Sequence, residues 1–439
     1  QRMRWEMPNG QAPLGDNCYV VVEEPDMFIA ADWRIGLGMV LVGGACAGTP
    51  ALASGAQVLY APKPERLWTA KVHGVARAAR AISAIFPTFA FHPEGRTIAA
   101  HHQGQVEIRE VSTGEVRVRF RAEDEEGSVC HMAFSPNGRL LAVACDKLKV
   151  GLFDPTDGKQ VGQLLPPRRC PSLLAFSRNG KYLTTYDLNG YCYVFEVASG
   201  KLLHELRAIW GPFYLSRSLA FSPRSDILSW LYLTGIRQLD LTSNRQLEFR
   251  HIGNPSFLHY SPDGRHLLVR GDGATVCMIE ADTGKVVHCF LVAGPFIDAD
   301  QPSSGYGEFS PDGKYVITTE IFGHSPGKPP RVVRQWDTVS GKLIRTLQAE
   351  PREVKYLSFS ADNKLLAVAG DDDRVNIFDL STGKELTELR IKAQGLIAAV
   401  FCPDGRHIAL WSAHESGARG EVTIWSLYGK PAKPQPAKP

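Results

Sequence analysis

Apolar and polar positions along this chain fall into short runs with a period of two, separated by compact polar turns. The stretch from Lys355 shows the unit. "KYLSF" reads as a strand, and "SADN" follows as a turn in which Asp and Asn bond their own backbone. "KLLAVAG" is a continuous apolar run, as expected of a strand buried on both faces. "DDD" turns the chain again, "RVNIFDL" alternates as a third strand, "STG" makes a third turn, and "KELTELR" supplies a fourth strand.

The first of these turns recurs along the chain. It appears as "FHPEG" from Phe91, "FSPNG" from Phe134, "FSRNG" from Phe176 and "FSPRS" from Phe221. It returns as "YSPDG" from Tyr260, "FSPDG" from Phe309, "FSADN" from Phe359 and "FCPDG" from Phe401. The third turn recurs too, as "STGE" at Gly114, "TDGK" at Gly158, "ASGK" at Gly200, "DTGK" at Gly284, "VSGK" at Gly341 and "STGK" at Gly383. Glycine there suits a positive φ in a tight hairpin.

Anchors spaced 39 to 50 residues apart, in units that repeat the same order of strands and turns, predict an all-β, eight-bladed β-propeller of four-stranded blades. Seven blades is the alternative, if the degenerate unit from Phe221 does not complete itself. The last unit reads "LIAAVF", "RHIALWS" and "EVTIWSL" and then stops, one strand short. "QVLYAPKPERLWTAKV" at 57–72, before the first anchor, is expected to supply the missing outer strand and so close the ring. The organisation expected is a leader over 1–56, a propeller over 57–428 and a solvated Pro/Lys tail over 429–439.

With these units in view, the sequence resembles the WD-repeat family in a divergent, bacterial-like form, over roughly residues 57–427. The naming dipeptide is intact once, at Trp336-Asp337, and stands elsewhere as Phe153-Asp154, Phe378-Asp379, Leu239-Asp240, Phe195-Glu196 and Trp425-Ser426. The family's Gly-His pair before the first strand is missing, with Ala349-Glu350 in its place in the seventh unit. Asp372 matches the family's turn Asp but lacks its His partner. The resemblance implies a rigid disc that binds other proteins, without the family's side-chain hydrogen-bond network.

Blade topology puts the "FSPDG" and "TGK" turns on one face and the other connections on the opposite face, where all the length variation falls. Four long connections stand out. The stretch 207–217 carries Trp210, Phe213 and Tyr214, and 292–308 carries Phe296, Asp298 and Tyr306. The stretch 320–334 carries Phe322, His324, Lys328 and Arg331, and 412–421 carries His414 and Arg419. Long loops on a rigid scaffold often carry binding, and aromatic and arginine side chains make the strongest anchors. These twelve residues are the candidate partner-binding set. Aromatics in such loops also serve to cap a propeller core.

Candidate chemistry is sparse. The sequence has no phosphate-binding glycine loop, no H-E-x-x-H, no G-x-S-x-G and no C-x-x-C-H. "DAD" at 298–300 opens like a calcium loop, but Phe309 stands where the closing Glu belongs. His101-His102, in the second turn of the first unit, reads as a surface pair. Quinoprotein propellers carry similar "DTGK" turns but add a Trp on the next strand; here those strands read "KVVHCF", "KLIRTL" and "KELTEL". The expectation is a non-catalytic scaffold without cofactor or metal, and the alternative is an enzyme or ligand binder using the central channel mouth.

The bulk numbers narrow the partner. Among 439 residues, 49 basic and 46 acidic side chains leave a net charge of +3, which gives no reason to expect nucleic acid. No apolar run is long enough for a transmembrane helix. The partner expected is a protein or peptide, met by a monomeric propeller not inserted in a membrane. Nine scattered cysteines, most within apolar runs, read as small buried hydrophobes. One segment changes the expected compartment. Arg34, the apolar stretch to about Ala47, and Ala51-Leu52-Ala53 follow the order of a secretory signal, although Glu23, Glu24, Asp26 and Asp32 precede it. Export to a periplasm or cell surface is expected, with the cytoplasm as alternative.

Overall fold

The computed structural model describes residues 64–428 apart from 74–88, 103, 123–128, 146–148, 168–170, 188–189, 208–218, 233–234, 251–256, 271–274, 293–304, 321–331, 348–353, 371–372, 392–395 and 414–418. The leader and the Pro/Lys tail expected from the sequence lie outside the described residues.

The described strands form eight antiparallel sheets of four strands each. In seven of them the four strands follow sequence order: blade 1 spans 89–121, blade 2 129–164, blade 3 171–207, blade 4 219–250, blade 5 258–291, blade 6 305–347 and blade 7 354–390. The unit from Phe221 is complete, so the count is eight, as the spacing predicts. Blade 8 runs in the order Glu65–His73, Arg419–Ser426, His407–Ala413, Leu396–Phe401. The strand before the first anchor therefore forms the outer strand of the last blade, with Trp68 opposite Ile424 and Ala70 opposite Val422.

Core packing lies in the seams between blades. One apolar cluster joins blades 1 and 2 through Ile108, Met132 and Val143, and another joins blades 3 and 4 through Tyr186, Val194 and Trp230. The largest brings Phe89, Ile98 and Ala100 of blade 1 together with Ile408, Val422 and Ile424 of blade 8. Second strands are enclosed on both sides, so Leu141–Cys145 and Leu365–Gly370 are buried throughout. Third strands, expected to alternate between core and solvent, are enclosed as well, with Val375, Asn376, Ile377 and Phe378 all buried. The reason is that their polar members reach across the seam. Gln238 Nε2 donates to the Ala281 carbonyl of the next blade at 2.9 Å, and Gln335 Nε2 to that of Leu380 at 3.3 Å. Alternation is clearest in fourth strands such as Val116–Arg121, at the rim of the disc.

The recurrent first turn is built around its serine. Ser310, fully buried, donates from its hydroxyl to Asp312 Oδ1 at 2.8 Å and accepts from the Tyr315 N–H at 2.9 Å. Ser135, Ser177, Ser261 and Ser360 repeat this pair of bonds. The Asp312 carboxyl, which burial alone would raise, is held below its ordinary value by the Ser310 hydroxyl and the Lys314 N–H. The third turn interlocks neighbouring blades. Gly114 has φ +76°, and a Cβ there would lie 2.7 Å from Cγ of Trp68, on the outer strand of blade 8.

The cysteines divide. Cys130, Cys145, Cys192 and Cys402 are buried thiols outside any disulfide, as their apolar surroundings predict. Cys277 and Cys289 are not: they form a disulfide between the third and fourth strands of blade 5, where their backbones pair directly. His101 and His102 also depart from the surface reading. Both belong to the strand Thr97–His102, and His101 is buried because it lies within that strand rather than in a turn.

Candidate interaction face

Antiparallel order gives each blade two edges. At one edge lie the first and third turns, which are nearly uniform around the ring and tightly bonded. The Gly313 N–H donates to the Ser310 carbonyl at 2.8 Å and the Gly383 N–H to that of Asp379 at 2.7 Å. Their carboxylates are committed to the turns themselves. Asp337 binds the Ser340 hydroxyl and N–H, and its carboxyl is lowered first by that hydroxyl bond. Asp379 accepts from the Ser381 hydroxyl at 2.6 Å. This face is a repeated structural device in which turn carboxylates such as Asp337 and Asp379 bond within their own turns.

The opposite edge is irregular in length. Its connections range from the short link between His102 and Gln105 to the spans from Arg207 to Leu219, Leu291 to Gly305 and Glu320 to Val333. Ten sequence candidates fall on such connections and lie outside the described residues: Trp210, Phe213, Tyr214, Phe296, Asp298, Phe322, His324, Lys328, Arg331 and His414. Arg419 opens the strand Arg419–Ser426, its backbone opposite His73 of the closing strand. Tyr306 requires a correction. The strand Gly305–Phe309 begins before it, so it is not part of the loop. Its ring is fully buried in the seam between blades 5 and 6, 5.3 Å from Phe257 and 5.7 Å from His259, and cannot meet a partner there.

Two features escape sequence reasoning. Apolar side chains are exposed on the rims of blades 5 and 6, at Val286, Val287, Leu291, Val339, Leu343 and Ile344. They occur in fourth strands and a third turn, where their alternation looks like that of every other blade. Arg270, at the irregular edge of blade 5, is buried although a strand-ending arginine normally reaches solvent. Among the described residues no cluster of three or more His, Cys, Asp and Glu side chains is arranged to hold a metal ion, and no helix is long and apolar enough to cross a membrane.

Comparison with known proteins fits this architecture. Residues 333–415 match the family model of the anaphase-promoting complex subunit 4 WD40 domain, and residues 115–148 match that of the WD domain, G-beta repeat. Protein HIR1 of Yarrowia lipolytica is 27% identical over 205 residues, which are 41% of this chain and 18% of that protein. The target of rapamycin complex subunit wat1 of Schizosaccharomyces pombe is 25% identical over 122 residues, 27% of this chain and 35% of that protein. The chain thus spans well under half the length of these relatives. Both are eukaryotic, and the matches do not single out the bacterial-like character expected of the repeats. Among solved structures, the C-terminal WD40 domain of Sif2 is similar with a TM-score of 0.62 and 14% identity, covering 83% of this chain and 99% of that domain. The repeats and the ring together make this protein an eight-bladed β-propeller whose matched stretches are similar to WD-repeat proteins.

Proposed function

We propose that this propeller is a non-catalytic interaction scaffold that presents its irregular edge to a protein or peptide partner. The observation that carries this reading is the contrast between the two edges. One is made of near-identical turns whose polar groups are internally bonded, and the other joins the same strands by connections of widely different length. A repeated scaffold that varies at one edge is built to place distinct side chains there. The relatives lend support by their names, since wat1 and the matched anaphase-promoting subunit are components of complexes. The candidate anchors are Trp210, Phe213, Tyr214, Phe296, Asp298, Phe322, His324, Lys328, Arg331, His414 and Arg419.

Affinity capture with the wild-type protein and with a variant whose 320–334 connection is replaced by Gly-Ser tests the reading. The variant is expected to lose the partner; equal recovery from both contradicts the assignment. A quinone absorption band in the purified protein would favour the enzyme reading instead. The scaffold acts as a monomer, which light scattering checks.

We also propose export. The order of Arg34, the apolar stretch and Ala51-Leu52-Ala53 supports it, and so does the Cys277–Cys289 disulfide, because such bonds persist mainly in oxidising compartments. Cytoplasmic residence is the competing outcome. A mature N-terminus near Ser54 supports export, and an intact leader with reduced cysteines contradicts it.

A further inference from the structure

Ten residues after the aromatic anchor of each unit, near the end of the second strand, stands a side chain enclosed by the ring. At this position blades 2, 3, 4, 6, 7 and 8 hold Ala144, Tyr186, Leu231, Thr319, Ala369 and Trp411, all buried and uncharged, and blade 1 holds the buried His101. Blade 5 holds Arg270, 8% exposed. It is the one permanently charged residue at this position, and it closes the strand His266–Arg270 at the irregular edge.

Among the described residues, none neutralises it. Arg270 pairs with Val276 across the ladder and follows Leu268 by two residues, so the three share a side of the sheet. Leu268 and Val276 belong to the apolar cluster that includes Phe257 and Tyr306. No described residue accepts a hydrogen bond from Arg270 Nε. The described carboxylates of the neighbouring segments are engaged elsewhere. Asp263 accepts from the Ser261 hydroxyl, Asp282 binds Arg224, Glu280 accepts from the Thr283 hydroxyl, and Glu308 accepts from Tyr306. An arginine this enclosed, with Nε shut away from water and no described acceptor for it, is disfavoured until an anion reaches the fork.

We propose that Arg270 is the receptor for a carboxylate that the partner presents at the irregular edge, seated in the seam between blades 5 and 6. This rests on the reading that the irregular edge is the binding face. The chemistry selects a carboxylate. A single guanidinium offers one positive charge and a planar fork of donors, which matches a planar monoanion. A phosphate dianion in the same apolar seam would keep half its charge uncompensated. The carboxylate is either that of an Asp or Glu residue or the α-carboxylate of the partner's last residue.

Thermal melts of the full-length protein at constant ionic strength test this with three probes: N-acetyl-aspartic acid amide for an acidic residue, N-acetyl-alanine for an α-carboxylate, and N-acetyl-alanine amide as the uncharged control. The wild type is expected to show saturable stabilisation by at least one acid and none by the amide. Arg270→Met should abolish that response, and Arg270→Lys, without the planar fork, should weaken it about tenfold. Without probe, Arg270→Met should melt at or above the wild-type temperature, since no unpaired charge is then enclosed. An equal response in Arg270→Met overturns the proposal, as does no response to either acid. A lower melt for Arg270→Met with no acid response in the wild type also overturns it, because Arg270 would then be paired within the propeller itself. The 320–334 exchange separates the two readings. If the exchange loses the partner but Arg270→Met keeps it, the binding face stands and the receptor falls. If the acids act through Arg270 while the exchange keeps the partner, the receptor stands and the face assignment falls.

Discussion

Trp68 lies against Gly114, and its indole Nε1 donates to the Val111 carbonyl at 2.8 Å, so a residue far before the first repeat clamps the last blade onto the first. Arg109 stands 6.0 Å from the same ring. The contact takes the place of the fourth-strand contacts seen elsewhere, such as Phe120 against Gly158 and Phe249 against Gly284. Trp68→Ala is expected to cost about 2–3 kcal/mol, less than for a fully enclosed tryptophan because the ring is only half-buried. Urea unfolding followed by circular dichroism measures it.

The same pair predicts a coupling. Gly114 and Gly104 both have φ +76°, but a Cβ on Gly104 meets nothing within 4 Å whereas one on Gly114 meets the Trp68 ring. Gly104→Ala should cost about 1–2 kcal/mol, the left-handed backbone penalty alone. Gly114→Ala should cost at least about 1 kcal/mol more. In a Trp68→Ala background that excess should vanish, which a double-mutant cycle reads directly.

The turn serines carry a separate prediction. Ser310→Ala removes both the bond to Asp312 and the acceptor for the Tyr315 N–H, and leaves that donor without its turn partner. The expected loss is about 1–3 kcal/mol by denaturant unfolding, without change in the far-ultraviolet spectrum.

His131 predicts a pH dependence. It is fully buried in the first strand of blade 2, its Nδ1 accepts from the Leu174 N–H at 3.3 Å, and burial lowers its pKa to about 4 from 6.5. Above pH 6.5 it is neutral whether folded or unfolded and contributes nothing to the slope. As pH falls from 6.5 to about 4 the unfolded state takes up the proton first, so stability declines across that window and levels off below it. The decline should approach about 3 kcal/mol and be absent in His131→Asn. Glu107 acts at lower pH. Its carboxyl, which burial would raise, is held below its ordinary value by Arg109 and Arg119, so its contribution is present at neutral pH and lost in acid.

Much of the fold is legible in the sequence because the anchors and turn glycines recur with the same order of strands between them. The closing strand can be placed because the last unit is one strand short. What escapes depends on details that period and composition do not carry. Cys277 faces Cys289 because the hairpin shifts register between Met278 and Ile279; without that bulge Cys277 would face His288. Tyr306 reads as loop because "GYGEF" follows a long polar stretch, yet the strand begins at Gly305. The serine at the heart of the first turn is visible in the repeats but overshadowed by the Pro, Asp and Gly beside it. Arg270 resembles any strand-ending arginine until the ring places blade 6 against it. The proposed binding residues sit on connections that do not repeat, so recurrence locates their edge of the disc and not their individual roles.

Recognition through the irregular edge is tested most directly by hydrogen–deuterium exchange of the protein alone and with its captured partner. The account predicts slowed exchange in connections such as 208–218, 293–304 and 321–331, with the turns at 91–96, 134–140 and 309–314 unchanged. Protection confined to those turns, with the connections unaffected, would contradict it.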